Sequence, residues 1–107
     1  MAFPGATEEV QWGADYLYKV AGKTFVFSSM DNFSEIVLSV KSTLEAFDEL
    51  IEQEGIIPAP YLARNKWVAV KRDSRIKITE LKGLIKISYD LVFAKLPKKT
   101  RDKINSI

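Results

Sequence analysis

The apolar residues of this chain keep one period as far as Lys41 and a different one from Ser42 onward. Before that point they alternate with polar residues, the two-residue repeat of a strand with one face on a core. After it they return every three or four residues, the repeat of a helix with one buried stripe. A run of strands followed by helices, with one more strand between them, is the element order of an α+β domain.

The segments can be assigned one by one. "EVQWG" (9–13) alternates Val10 and Trp12 with Glu9 and Gln11, as a strand does. "YLYKV" (16–20) and "KTFVFSS" (23–29) are rich in aromatic and β-branched residues and flank Ala21-Gly22, a two-residue hairpin turn. "SMDNFS" reads as a polar loop, and "EIVLSVK" (35–41) as a strand with Ile36, Leu38 and Val40 on one face. Ser42 and Glu45 form a capping-box pattern. The helix it opens runs to about Glu54, with Gly55 as the C′ residue. Leu44, Phe47, Leu50 and Ile51 make its buried stripe, and Glu45, Asp48, Glu49 and Glu52 its solvated side.

"IIPAPY" (56–61) reads as an extended connector, because each proline pushes the residue before it out of the helical region. "KWVAVKR" (66–72) is the next strand, "RDSR" a turn and "IKI" a short edge strand. A second helix begins at Thr79 or Glu80 and reaches about Leu96, with Leu81, Leu84, Ile85, Tyr89, Val92 and Leu96 on its core face. Pro97 ends it and opens a short basic helix, "KKTRDKI". The expected architecture is α+β: an antiparallel sheet of about five strands, two main helices packed on one face and a short C-terminal helix. It forms one domain over residues 1–107, a length that supports a single modest core.

Composition narrows the chemistry. There is no cysteine, which excludes disulfides, thiol catalysis and thiolate metal sites. There is no histidine, which removes the commonest general base and metal ligand. No apolar run approaches the roughly 18 residues that span a bilayer, and "MAFPGATEE" has neither the basic nor the apolar region of a signal peptide. The expectation is a cytosolic protein with no cofactor and no membrane partner. The net charge of +2 conceals a division. Residues 1–65 carry four Lys/Arg against ten Asp/Glu, a balance of −6, and residues 66–107 carry twelve against four, a balance of +8. Such asymmetry points to a polyanionic partner or to attraction between opposite faces of two copies.

The candidate nucleic-acid-binding residues are Lys66, Trp67, Lys71, Arg72, Arg75, Lys77, Lys82, Lys86, Lys98, Lys99 and Arg101, with Lys103 in the same basic set. If Val68 and Val70 face the helices, Trp67 lies on the other sheet face beside Lys71, where an indole can stack a base and the lysine can neutralise phosphate. The turn at 72–77 would touch the backbone as a wing tip. The plainer reading is preferred: it packs Trp67 inside and leaves the cations solvated, with Lys86 paired to Asp90 and Lys99 to Asp102. The acidic row on the first helix has no EF-hand spacing and reads as a solvated face. Ser88-Tyr89 reads as a helix-packing pair, and Gly22-Lys23 as a turn lacking the P-loop frame. A small-molecule pocket at Tyr16, Tyr18 and Trp67 has no support in the sequence.

Four strings in order, "FPGATEEVQWG", "YKVAGKTF", "GIIPAPYLARNKWVAV" and "ELKGLIKISYDLVFAKLPKKTR", resemble the MmcQ/YjbR family of small bacterial proteins over nearly the whole chain. The residues that carry the likeness include Gly22, Lys23, Phe25, Ser88, Tyr89, Lys95, Leu96 and Pro97. The resemblance implies a fold similar to a double-wing DNA-binding domain and to type III secretion chaperones. It also implies a leading helix that has no counterpart ahead of Pro4, and some relatives carry a histidine where this chain has Lys66. The expected function is non-catalytic DNA binding through backbone-directed contacts of the basic half. The alternative is a protein-interaction module or homodimer. An enzyme is the weakest reading, because no set of nucleophile, base and orienting group can be assembled.

Overall fold

In a computed structural model of the chain, the described residues are 3–11, 15–29, 36–59 and 65–106. Six strands and three helices lie among them: β1 (Ala6–Gln11), β2 (Asp15–Val20), β3 (Lys23–Ser29), β4 (Ile36–Lys41), α1 (Leu44–Glu52), β5 (Ile56–Pro58), β6 (Trp67–Lys71), α2 (Ile78–Ala94) and α3 (Lys98–Asn105). The strands form one sheet in the order β1-β2-β3-β4-β6-β5, with every neighbouring pair antiparallel. The fold is therefore α+β, with one strand more than the sequence suggests. The expected strand end at Trp12, most of the polar loop after Ser29, and the close of the proline connector lie outside the described residues.

The hairpin between β2 and β3 turns on Ala21 (φ 49°) and Gly22 (φ 79°). Two consecutive residues with positive φ match the strand twist, as in a type I′ turn. Val20, Phe25, Val26, Leu38, Val40, Val68 and Val70 face the helices and pack against Phe47, Leu50, Tyr89, Val92 and Leu96 in the main core. Ala59, Trp67 and Ala69 form a second buried cluster with Phe27, Ile36 and Ile57. Because Trp67 and Ala69 alternate with Val68 and Val70, this cluster occupies the other sheet face.

Two register shifts reassign residues between those faces. One falls opposite Tyr18 and Lys19, whose partners are Val26 and Thr24, so Phe25 is the extra residue in β3. Phe25 and Val26 are then both buried in the main core, while Phe27 packs on the far side. The other falls between Ile36 and Leu38. The expectation that Ile36, Leu38 and Val40 share a face is corrected there: Ile36 joins the Trp67 cluster, and Leu38 and Val40 join the main core. A bulge adds one residue and so inverts the alternation beyond it.

Further corrections concern boundaries. The N-cap of α1 is Thr43, whose hydroxyl accepts from the Ala46 N–H; the Ser42 hydroxyl donates to the Lys66 carbonyl instead. Leu44, at the exposed first position of α1, is 64 % exposed and outside the buried stripe. Gly55 lies beyond the C-cap Gln53. Its φ of +87° and its approach to Ser74, where a Cβ would sit 2.5 Å from Cα, leave room for glycine alone. The stretch read as a connector pairs as β5, a three-residue edge strand ending at Pro58, where a missing N–H costs nothing. "IKI" makes no strand: β6 already has β4 and β5 on its two sides, and Ile78 opens α2.

Ser88, fully buried on α2, ties this helix to the sheet. Its hydroxyl donates to the Phe25 carbonyl (2.6 Å) and accepts from the Lys41 N–H (2.9 Å). The β3–β4 register, with Val26 opposite Val40, makes Phe25 and Lys41 the next facing pair. The hydroxyl thus bridges two strand groups where the described ladder stops. Tyr89 follows it into the core, donates to the Pro4 carbonyl and stacks on Phe3 at 4.9 Å between centroids.

Candidate functional site

Where one end of the sheet meets the end of α2, four segments line a cleft of about 410 Å³. Lys23 and Thr24 come from the start of β3, Lys41 from the end of β4 and Trp67 from the start of β6. Val92, Lys95, Leu96 and Pro97 close it from the last turn of α2 and the α2–α3 junction. Lys41 and Trp67 are cross-strand partners, and Ser88 fixes the Lys41 backbone, so sheet register and helix docking together place the ammonium. Lys95 is the C-cap of α2, where a cation meets the partial negative end of the helix.

Among the described residues, three lysines line this cleft and no carboxylate does. Burial pulls the Lys41 amine below its ordinary value of 10.5, and the Lys95 amine, within hydrogen-bonding reach, lowers it further by its hydrogen bond and its charge. Two cations held this close favour any anion that can sit between them. Val92, Leu96, Pro97 and the rim of Trp67 supply an apolar wall beside the charges.

The residues singled out in sequence are distributed differently. Trp67 is 7 % exposed and meets Phe27 edge to face at 5.4 Å, so it offers no free ring face for stacking a base. Lys66 holds a left-handed backbone (φ 65°), places its ammonium 4.9 Å above the Phe47 ring and accepts two hydrogen bonds from Ser42 at its carbonyl. Lys71 ends β6, and Arg72, Arg75 and Lys77 follow in the stretch before α2, with Glu54 and Glu80 lining the same shallow surface as Arg75 and Lys77. Lys82 and Lys86 are exposed on the outside of α2, with Lys86 paired to Asp90 at 2.9 Å. On α3, Lys98 rather than Lys99 pairs with Asp102 (3.3 Å), Lys99 and Lys103 are exposed, and Arg101 is half-buried. The stretch before α2 and the α3 group stand at opposite ends of a 17-residue helix, about 25 Å apart by helical rise. Only Trp67 of the eleven candidates lines the cleft.

The cleft's own cations were harder to find. Lys23 and Lys41 belong to the acidic half of the chain, where a count by halves hides them. Lys23 and Lys95 stand in strings that carry the family likeness, and Lys41 stands in none. The available signal was a lysine closing an apolar strand beside a turn. Among the described residues no group of three His, Cys, Asp or Glu could hold a metal ion. No helix among them is long and apolar enough to cross a membrane.

The family model described as YjbR matches residues 1–91. The chain belongs to the YjbR family. The YjbR chain is similar in structure to Deinococcus radiodurans protein DR2400, which carries a DUF419 family-model domain: TM-score 0.83, 23 % identity, 97 % of this chain and 80 % of that one covered. It is also similar to a protein from Pseudomonas syringae, with TM-score 0.65, 16 % identity and coverage of 80 % and 86 %. At these identities the likeness is one of YjbR fold. No curated protein matches the sequence.

Proposed function

We propose that this YjbR protein is a non-catalytic, cytosolic binding protein for nucleic-acid phosphates, which it grips with lysines and does not read by base. The observation that carries this is the convergence of Lys23, Lys41 and Lys95 on one cleft that no carboxylate lines among the described residues. Lys98 and Lys99 follow the lining residue Pro97 in sequence and are exposed. Without an aromatic face or a base-reading element, such contacts position a strand but do not specify its sequence. Fluorescence anisotropy with short labelled oligonucleotides tests it. Each phosphate neutralised contributes about −0.9 to the slope of log K against log salt for duplex and about −0.7 for single strands. Absence of binding at about 50 mM salt, where such contacts are strongest, overturns the proposal.

A second reading, self-association as a protein-interaction module, draws on a different surface. Leu50, Ile76, Leu84 and Ile87 line an apolar groove between α1 and α2, and Ile78 and Ile87 are 69 % and 40 % exposed. The opposite charges of the two halves would add attraction between copies.

A further inference from the structure

We infer that the Lys23–Lys41–Lys95 cleft seats a phosphate monoester, the terminal phosphate of a nucleic-acid strand or of a free mononucleotide, in preference to an internal phosphodiester. The inference rests on the phosphate-binding reading above and narrows its ligand. Internal diesters carry one charge each and lie in a row, so a protein that tracks them spreads its cations along a face. Here the cations at the two ends of α2 are a helix length apart, whereas three lysines from three separate segments meet at one cavity. That concentration matches a single group of charge −1.5 to −2 with three acceptor oxygens, which a monoester is near pH 7. Thr24 adds a hydroxyl at the same place. Lys41 and Lys95 repel one another in the free protein, and an oxyanion bridging them relieves that repulsion. The apolar wall of Val92, Leu96 and Pro97 gives the organic body of the ester a surface that inorganic phosphate would not use.

The test compares one single-stranded oligonucleotide with and without a 5′-phosphate, together with a mononucleotide and its nucleoside, by calorimetric titration at fixed salt. The phosphorylated strand and the mononucleotide should bind about tenfold tighter than their unphosphorylated counterparts. Lys41→Gln and Lys95→Gln should each erase that difference. Lys95 is exposed, so its variant serves where Lys41→Gln fails to fold. Equal affinity for the two strand forms overturns the inference and leaves nucleic-acid binding standing. A mononucleotide that binds while neither strand does supports the cleft assignment and overturns the nucleic-acid reading. Binding by none of the four probes overturns both.

Discussion

Lys41 ends β4 with its backbone N–H on the Ser88 hydroxyl and its amine in the cleft. Burial first, and then Lys95, hold its pKa below 10.5. A lysine whose folded pKa is lowered binds fewer protons in the folded than in the unfolded chain between the two values. Stability therefore rises with pH through that window, and below it the charged amine carries a constant penalty. Lys41→Met should raise the melting temperature, by most near neutral pH, with the gain shrinking as pH approaches 10.5. Thermal melts from neutral to alkaline pH check this, and a gain that grows with pH would contradict it. Lys66 shows the opposite economy: a left-handed backbone costs about 1 kcal/mol, offset in part by its ammonium over the Phe47 ring.

At the scale of the element, α2 meets the sheet through an apolar face and the buried Ser88 hydroxyl. Ser88→Ala removes both hydrogen bonds of that hydroxyl and leaves the Phe25 carbonyl and the Lys41 N–H without it. Unpaired buried groups of this kind cost about 2–3 kcal/mol in total. Urea denaturation should show a loss of that size with little change in slope, since the exposed area on unfolding is nearly the same. A change under ~0.5 kcal/mol would mean water replaces the hydroxyl. Strand and helix existence was legible because period two and period 3.6 are distinct over Tyr16–Ser29 and Leu81–Leu96. The faces were not, because bulges at Phe25 and beside Ile36 arise from pairing with strands distant in sequence. The cap of α1 was missed by one residue for a related reason: Ser42 is drawn away by Lys66, a tertiary partner 24 positions on. β5 was missed because prolines argue against a strand everywhere except at a short edge.

Across the whole molecule, the candidate site was the least legible part. The cleft takes its cations from residues 23, 41 and 95, and only the folded sheet end brings them together. The basic tally of the second half pointed to α2 and α3, where Asp90 and Asp102 answer Lys86 and Lys98. The apolar groove over Leu50 and Leu84 sits on the α1–α2 surface, lined by other residues than those of the cleft. Sedimentation velocity over a concentration series, at low and high salt, separates its role from that of the charges. Association through Ile78 and Ile87 survives high salt and is abolished by Ile87→Lys, whereas attraction between oppositely charged halves fades as salt screens it. A sedimentation coefficient constant with concentration removes the second reading.

The single hydroxyl at position 88 also has a meaning for how this protein could respond to what it binds. The strand group it holds belongs to the same residue that offers its amine to the ligand. Loosening the long helix would therefore displace that amine, and anchoring the amine to a bound guest would in turn resist loosening. Protection of the Lys41 amide against solvent exchange becomes a gauge of occupancy that is read on the backbone of a residue whose side chain meets the guest.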